Sequence, residues 1–160
     1  MTVRVERVDA GATFPLRQSV LRPHQALERV AFPGDGDLDS AHYGAVDDDG
    51  NIVGTATVLR EAPPWPTDSG PNWRLRGMAI AEGRRSQGVG ALVLAAVFAH
   101  VRSHGGGLLW CNARVPAVEF YRRAGFATRG ESWVEPVIGP HIAMACPVAA
   151  TPPSPAGKNP

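Results

Sequence analysis

The chain has 160 residues and a mass of 17.0 kDa, a size typical of one domain with a single sizeable core. With 44% hydrophobic and 19% charged residues, its composition is that of a globular protein and excludes disordered, collagen-like and strongly acidic chains. The net charge of +1 argues against a non-specific nucleic-acid binder, which needs a basic surplus to displace counterions from phosphates. We expect one domain over residues 1–146 and a proline-rich, disordered tail over residues 147–160.

The N-terminus has no basic segment followed by an apolar core, and the longest strictly apolar run, residues 91–99, is about half of a membrane span. We therefore expect a soluble, cytoplasmic protein without membrane or nucleic-acid partners. Cys111 and Cys146 have neither CxxC nor zinc-finger spacing. Both fall in strand-like segments and are predicted to be buried, reduced thiols.

The first half of the chain predicts a strand, one or two short helices and a hairpin. Residues 3–8 alternate apolar and polar side chains, and residues 14–21 read as a helix with Pro15 in its first turn. Residues 24–31 are interpreted as a second short helix. Residues 41–46 and 52–59 are strand-like runs on either side of an Asp/Gly-rich connector, which is typical of an antiparallel hairpin.

The second half alternates strands and helices after a proline-rich insertion at residues 63–71. Strands are predicted at residues 73–81, 108–111, 126–134 and 141–146, and helices at residues 88–104 and 116–124. The predicted order is βα(α)βββαβαββ, which indicates a mixed α/β fold with one sheet covered by helices.

A glycine-rich turn lies between the strand that ends near residue 81 and the longest helix. It reads Arg84-Arg85-Ser86-Gln87-Gly88-Val89-Gly90. Backbone N–H groups at a helix start lack intrahelical partners and face the positive end of the helix dipole, so an anion fits there. A tight connection without a ligand is the other interpretation. The P-loop is excluded because no lysine precedes Lys158, and the dinucleotide fingerprint GxGxxG is excluded because Val93 stands where a glycine is needed.

Two linked motifs resemble the GNAT superfamily of acetyl-CoA-dependent N-acetyltransferases. The first is RxxGxG after the segment MAIAEGRR, and the second is the NxxxxAxxFYxxxGF pattern over residues 112–126. The resemblance implies a mostly antiparallel sheet of six to seven strands, about four flanking helices and a splay between the fourth and fifth strands. It implies acetyl-CoA as acetyl donor, no metal and, as in many family members, a homodimer. The residues expected to bind the coenzyme are Met78, Ala79, Ile80, Arg85, Ser86, Gln87, Gly88, Val89, Gly90, Asn112 and Tyr121.

Acetyl transfer to an amine needs a deprotonated nucleophile, stabilisation of the oxyanion and a proton for the departing thiolate. Tyr121 matches the family tyrosine near the coenzyme sulfur, and a phenol keeps its proton at neutral pH and is therefore a candidate general acid for the departing thiolate. Tyr121 could instead simply fill the apolar stripe of its helix. His141 and Glu135 are candidate bases because both could face the acceptor, and imidazole titrates near neutral pH. A structural histidine, or deprotonation of the amine through water without a dedicated base, are the alternatives.

Other clusters carry weaker signals. His100 and His104 could face one metal ion, but they lack a third ligand and are predicted to sit exposed near a helix C-terminus, so no metal site is predicted. Asp35, Asp37 and Asp39 form either a polar turn or an acidic rim that attracts a cationic amine. The sequence predicts an N-acetyltransferase, hence an acyltransferase, for a small primary amine that attacks directly in a ternary complex. A peptide amine acceptor and a non-catalytic acyl-CoA-binding or sensing module are the alternatives.

Overall fold

The computed structural model describes residues 2–68 and 70–152, and a seven-stranded sheet dominates it. The strands are β1 (Val3–Val8), β2 (Ala41–Asp47), β3 (Ile52–Arg60), β4 (Asn72–Ile80), β5 (Gly107–Arg114), β6 (Ala127–Glu135) and β7 (Gly139–Val148). The helices are α1 (Ala10–Leu16), α2 (Val89–Ser103) and α3 (Val118–Arg123). A π-helical turn, Arg17–Leu21, continues α1, and short 3₁₀ turns lie at Leu27–Arg29, Glu82–Arg84 and Val115–Ala117.

The sheet is antiparallel except at its centre. Its strand order is β1-β2-β3-β4-β5-β7-β6, and β4 and β5 run parallel. Their pairing is limited to residues 72–74 against residues 108–110, after which the two strands diverge. This confirms the predicted mixed α/β fold, including the splay between the fourth and fifth strands. The divergence opens the middle of the sheet at the end where β4 runs into α2.

Helices cover both faces of the sheet. A Cβ on Gly54 of β3 would meet Val89 and Val93 of α2, so this residue faces α2. The neighbouring position Thr57 binds Arg17, just after α1, on the opposite face. The core is formed by valines of α2 and by apolar residues of the central strands, among them the fully buried Trp73, Leu109 and Met144.

Several element boundaries differ from those that the sequence predicts, and the second short helix expected at residues 24–31 is wrong, since a 3₁₀ turn at Leu27–Arg29 is all that forms there. Strand β5 is also longer than expected, because it spans Gly107–Arg114. Helix α1 begins at Ala10, four residues earlier than expected, although Gly11 weakens its helical signal.

Strand β7 extends to Val148, so the expectation that the tail starts at residue 147 is wrong by two residues: Pro147 pairs with Leu108, and Val148 is buried. Residues 153–160 of the predicted tail lie outside the described residues.

Cys111 and Cys146 are buried free thiols in β5 and β7, as predicted. Within the part of the chain that the structure describes, no helix is long and apolar enough to cross a membrane.

Candidate active site

A cleft of about 1320 Å³ lies where β4 and β5 diverge. Its walls come from the end of β4, the glycine turn and start of α2, the end of β5, helix α3, residues 20–22 and the β6–β7 hairpin. Of the coenzyme-binding candidates, the cleft is lined by Met78, Ile80, Arg85, Ser86, Gly88, Val89, Gly90, Asn112 and Tyr121. The predicted bases Glu135 and His141 line it as well. The structure thus brings residues from both halves of the sequence motif to one cavity.

Two predicted residues do not line the cleft. Ala79 is buried between Met78 and Ile80, since alternate side chains of a strand point to opposite faces. Gln87 is exposed, and its side-chain amide donates to the carbonyl of Gly83. Binding of the coenzyme by Ala79 and Gln87 therefore stays a prediction that concerns their backbone groups.

The glycine turn has an unusual backbone. Ser86 has a φ of 63° and Gly88 a φ of 81°, so two left-handed residues lie within three positions, just before α2 begins. A Cβ on Gly88 would meet no heavy atom within 4 Å, so this residue borders open space. A strained turn of this kind ahead of a 15-residue helix directs backbone N–H groups at one point, which suits an anion.

The turn is held from two sides. Arg84 donates to the carboxylate of Asp47 at 2.9 Å, and this carboxylate also accepts hydrogen bonds from the N–H groups of Asp49 and Asn51. On the other side, a Cβ on Gly90 would lie 3.1 Å from the ring of Phe120, so glycine allows α2 to approach α3 closely. Both contacts fix the turn relative to the cleft.

Strand β4 carries a bulge beside the cleft. Thr55 pairs with Ala79 and Thr57 with Arg76, so Gly77 and Met78 together oppose Ala56. Gly77 has a φ of 63°, and a Cβ there would lie 3.0 Å from Nε of Arg17. Beyond residue 74, the described residues offer β4 no strand partner on its β5 side. Its backbone groups on that side are therefore open to a ligand that binds like an added strand.

Tyr121 lies in α3 and packs edge-on against the rings of Phe120 and Phe126. It is buried, yet it lines the cleft, and its hydroxyl has no hydrogen-bond partner among the described residues. Burial raises the pKa of Tyr121 well above its usual value, with a further contribution from Cys111. The side chain is thus a phenol that stays protonated at neutral pH. Burial likewise raises the pKa of Cys111 to about 12, so this thiol stays protonated too.

The other end of the cleft forms what we call the distal chamber, lined by Arg22, Arg76, Arg114, Trp133, Glu135 and His141. Three of these residues form a row across the sheet, because His141 of β7 pairs with Arg114 of β5 and Trp133 of β6. The imidazole of His141 stacks on Trp133 with the ring centroids 5.9 Å apart, and its Nδ1 donates to the carbonyl of Gly139 at 2.9 Å. This bond places the lone pair of the neutral ring on Nε2.

Glu135 is exposed at the rim of the distal chamber, and its carboxylate accepts a hydrogen bond from the indole of Trp133 at 3.0 Å. Arg22 and Arg114 both donate to the backbone carbonyl of Leu21, which links the segment after α1 to the end of β5. Burial lowers the pKa of both arginines; Glu135 partly offsets this for Arg22, whereas Arg22 lowers the pKa of Arg114 further.

The outer wall of the chamber is Phe32, which lines the cleft and is held by Arg17, a residue that sequence reasoning did not single out. The guanidinium of Arg17 lies over the ring of Phe32, 4.2 Å from its centroid, and Asp35 accepts a hydrogen bond from the N–H of Phe32. This guanidinium is fully buried and forms two hydrogen bonds to Asp35, one to Thr57 and one to the carbonyl of Val30. Burial acts to raise the pKa of Asp35, but hydrogen bonds from Arg17 and from the N–H of Phe32 outweigh it and lower the pKa overall. No local signal marks Arg17, since its partners lie 13 to 40 residues away.

The structure also shows where the acidic segment 35–39 and the histidine pair at the end of α2 lie. Asp35 is the anchor of Arg17, while Asp37 and Asp39 are exposed and do not line the cleft, so an acidic rim is not formed there. His100, expected to be exposed, is instead buried and hydrogen-bonded to the hydroxyl of Tyr43. Residues 2–68 and 70–152 contain no group of three or more potential metal ligands.

Comparison with known proteins places this geometry in a family. The model of the acetyltransferase (GNAT) family matches residues 12–126. The uncharacterized N-acetyltransferase YitI of Bacillus subtilis (strain 168) is 32% identical, with 89% of this chain and 94% of YitI covered. The streptothricin acetyltransferase of Streptomyces lavendulae is 34% identical, with 81% of this chain and 71% of that protein covered.

The fold agrees with these matches. The crystal structure of an aminoglycoside 6′-N-acetyltransferase complexed with coenzyme A is similar with a TM-score of 0.70 at 16% identity, covering 92% of this chain and 99% of that chain. The predicted resemblance is confirmed: the chain belongs to the GNAT family of acetyltransferases, enzymes that use acetyl-CoA as acetyl donor.

Proposed function

We propose that this protein transfers the acetyl group of acetyl-CoA to a primary amine of a small molecule, by direct attack of the amine in a ternary complex. The observation that carries the proposal is the continuity of the cleft. A single cavity joins the glycine turn at one end with the distal chamber at the other, and it passes Tyr121. A donor and an acceptor bound at the two ends would meet beside that hydroxyl.

The residues present fit coenzyme A. Its pyrophosphate matches the N–H groups at the start of α2, where Gly88 leaves open space, and Arg85 adds positive charge. Its pantetheine arm matches the open edge of β4 at Met78 and Ile80, with the Asn112 amide on the other side of the splay. When bound, acetyl-CoA supplies an activated acetyl thioester.

Tyr121 is the proposed catalytic hydroxyl, as a hydrogen-bond donor rather than a general acid. The raised pKa keeps its proton in place throughout the neutral range, so the hydroxyl can donate a hydrogen bond to the sulfur as negative charge develops on it. Because a phenol is a weaker acid than a thiol, the departing thiolate takes its proton from the attacking ammonium or from water. The contacts with Phe120 and Phe126 hold the ring in position without occupying the hydroxyl.

His141 is the better of the two proposed bases. Its bond to Gly139 leaves Nε2 as a proton acceptor, and the ring is buried on the wall of the distal chamber. Glu135 is exposed, and its carboxylate is engaged by Trp133, so it acts on the charge and shape of the chamber. A small acceptor is supported by the enclosure of the chamber between residues 20–22 and the β6–β7 hairpin, and by the substrate named in the streptothricin acetyltransferase.

The proposal is tested by free-thiol release from acetyl-CoA over a panel of amines, alongside thermal unfolding with acetyl-CoA, CoA and NADH. We expect stabilisation by both coenzyme A forms but not by NADH; a ligand at 100 times its Kd stabilises by about 2.7 kcal/mol. Thiol release that depends on a small amine supports the proposal.

Three other outcomes would contradict parts of it. Stabilisation without thiol release from any amine would indicate an acyl-CoA-binding module. Thiol release with peptides alone would replace the small acceptor by a protein terminus or side chain. An absence of stabilisation by CoA would show that the glycine turn does not bind the coenzyme.

A further inference from the structure

The distal chamber is strongly basic. Arg22, Arg76 and Arg114 line it, whereas among the described residues that line the cleft Glu135 is the one carboxylate. The amine group of an acceptor is a base that is protonated in neutral solution, so a chamber built only to attract amines would be acidic. The observed charge thus calls for a second, negative group on whatever the chamber binds.

Carboxylates neutralise the charge of the neighbouring arginines, but none among the described residues neutralises the charge of Arg76. Arg17 is bound by Asp35 at 2.6 Å, and Arg74 by Glu61 at 2.7 Å. For Arg76, the described part of the chain provides neither a carboxylate within 4.0 Å nor a hydrogen-bond acceptor. Its guanidinium instead lies over the ring of Phe32, 4.2 Å from the centroid, and the side chain is half-buried.

Because Arg76 is half-buried near other arginines, its positive charge is unfavourable unless an anion binds to it. Burial is the largest cause that lowers its pKa to about 10; the nearby Arg74 and Arg17 also lower it, and Glu61 and Asp35 raise it. The guanidinium lies over Phe32 without a hydrogen-bond acceptor among the described residues, so its N–H groups can bind an oxyanion. An anion bound here would relieve the repulsion among the arginines.

We propose that the acceptor carries an oxyanion, a carboxylate or a phosphate, in addition to its amine, and that Arg76 binds this oxyanion. This inference rests on the proposed function, because it assigns the substrate class of the same site. Amino-acid-like or phosphorylated small amines fit the chamber, while polyamines are repelled by it.

The test uses pairs of acceptors that differ in the anionic group alone. One pair is an α-amino acid and its amide, another is O-phosphoethanolamine and ethanolamine, and spermidine represents polyamines. Binding of each probe to the protein saturated with CoA is measured by calorimetry, and thiol release from acetyl-CoA gives kcat and KM. The amino-acid pair and the phosphate pair distinguish the two sources of the oxyanion.

The variants are Arg76→Gln, which removes the charge, and Arg76→Lys, which keeps the charge but loses the planar fork. We expect the anionic probes to bind at least tenfold more tightly than their neutral partners, and Arg76→Gln to abolish that preference by weakening the anionic member. Arg76→Lys should restore part of it. Arg4→Gln is the control, since Arg4 is exposed on β1, where it pairs with Glu6 away from the cleft.

The outcomes separate this inference from the proposed function. Equal binding of the acidic and neutral probes overturns the oxyanion site, even if thiol release shows that the protein is an acetyltransferase. A loss of CoA affinity in Arg76→Gln also overturns it, because the arginine would then belong to the coenzyme site. A binding preference for anionic probes without any thiol release supports the oxyanion site and contradicts the proposed function.

Discussion

The glycine turn and the distal chamber are built on different principles. The turn is one stretch of seven residues whose chemistry resides in the backbone, with left-handed residues at Ser86 and Gly88 and the start of α2. The chamber is assembled from side chains of four separate segments, and Phe32 in its outer wall is in contact with a buried ion pair between Arg17 and Asp35. A site made of backbone tolerates most side-chain changes, whereas a site made of distant side chains changes with each of them.

The largest effect is expected on the free energy of unfolding, from replacing Arg17 beside the distal chamber. Arg17→Met removes the hydrogen bonds to Asp35, Thr57 and Val30 and leaves a largely buried carboxylate without its cation. Breaking such a pair costs about 3–5 kcal/mol of unfolding free energy, measured by urea denaturation. Arg4→Met breaks an exposed pair with Glu6 and should cost at most about 1 kcal/mol.

The Arg17→Met variant also separates the two regions. Protein that remains folded should keep its affinity for CoA and lose turnover of the acceptor. A loss below about 1 kcal/mol would show that the ion pair does not hold the chamber wall.

The second largest effect is expected on kcat, from removing the hydroxyl of Tyr121, which lies between the glycine turn and the distal chamber. Tyr121→Phe keeps the packing against Phe120 and Phe126, so the Kd for CoA should stay unchanged while kcat for thiol release falls at least tenfold. Since the pKa of Tyr121 is raised, no loss of wild-type activity below pH 10 should trace to its deprotonation.

Tyr43→Phe is the matched control, because Tyr43 bonds to His100 and does not line the cleft. If kcat is the same for Tyr121→Phe and the wild-type enzyme, Tyr121 has a packing role alone.

A smaller effect tests the backbone character of the turn. In Gly88→Ala the new Cβ meets no atom, so the cost comes from the φ of 81° alone. We expect about tenfold weaker binding of CoA by calorimetry, since the N–H groups must shift to relieve the strain.

Gly130→Ala has the same cause of strain, with a φ of 73° and open space, but lies in β6, away from the turn. Its stability should fall as much, while its affinity for CoA should not change. Equal affinities of the two variants would show that the turn is only a connection.

The smallest expected effect concerns the stability of the protein and comes from His100 in helix α2, outside both the glycine turn and the distal chamber. Burial lowers the pKa of His100 to about 4, and His104 and Arg7 contribute to the lowering. The unfolded chain binds a proton at this residue at a higher pH than the folded protein does, so stability falls as the pH drops from about 6.5 towards 4.

Between pH 7 and pH 5 we expect a loss of about 1 kcal/mol in the unfolding free energy that is absent in His100→Gln. His24→Gln, at an exposed position, should keep the loss. An unchanged pH dependence in His100→Gln would place the acid sensitivity elsewhere.

Local patterns predicted most of the fold and the glycine turn that lines the cleft. Strand β1 has the predicted bounds because its alternation is regular, and the ends of α2 coincide with Gly88 and with the glycines after residue 104. The turn could be located because its residues are adjacent in the sequence, and the anion binding that we propose for it follows from glycine and a helix start.

The remainder depends on contacts between distant residues. No neighbouring residue in the sequence marks Arg76 or Arg17. The acidic residues of segment 35–39 suggested a site for a cationic substrate, but the carboxylate of Asp35 pairs with Arg17 of the same chain. His100 could have been placed correctly, since Val93, Val97, His100 and Val101 fall on one buried face of α2. Its pairing with Tyr43 of β2, 57 residues away, could not.

The short parallel pairing at the centre of the sheet has a mechanical consequence. Long antiparallel ladders join strands β1 to β4 into one group and strands β5 to β7 into a second group. Among the described residues, the backbone pairing between these two groups consists of three residue pairs of β4 and β5. The seam between β4 and β5 is therefore the place where the backbone ladder of the sheet is shortest. Helix α2 packs on strands of both groups and supplies the rest of the support across this seam. The aperture of the cleft is thus set jointly by three pairs of strand residues and by the packing of one helix.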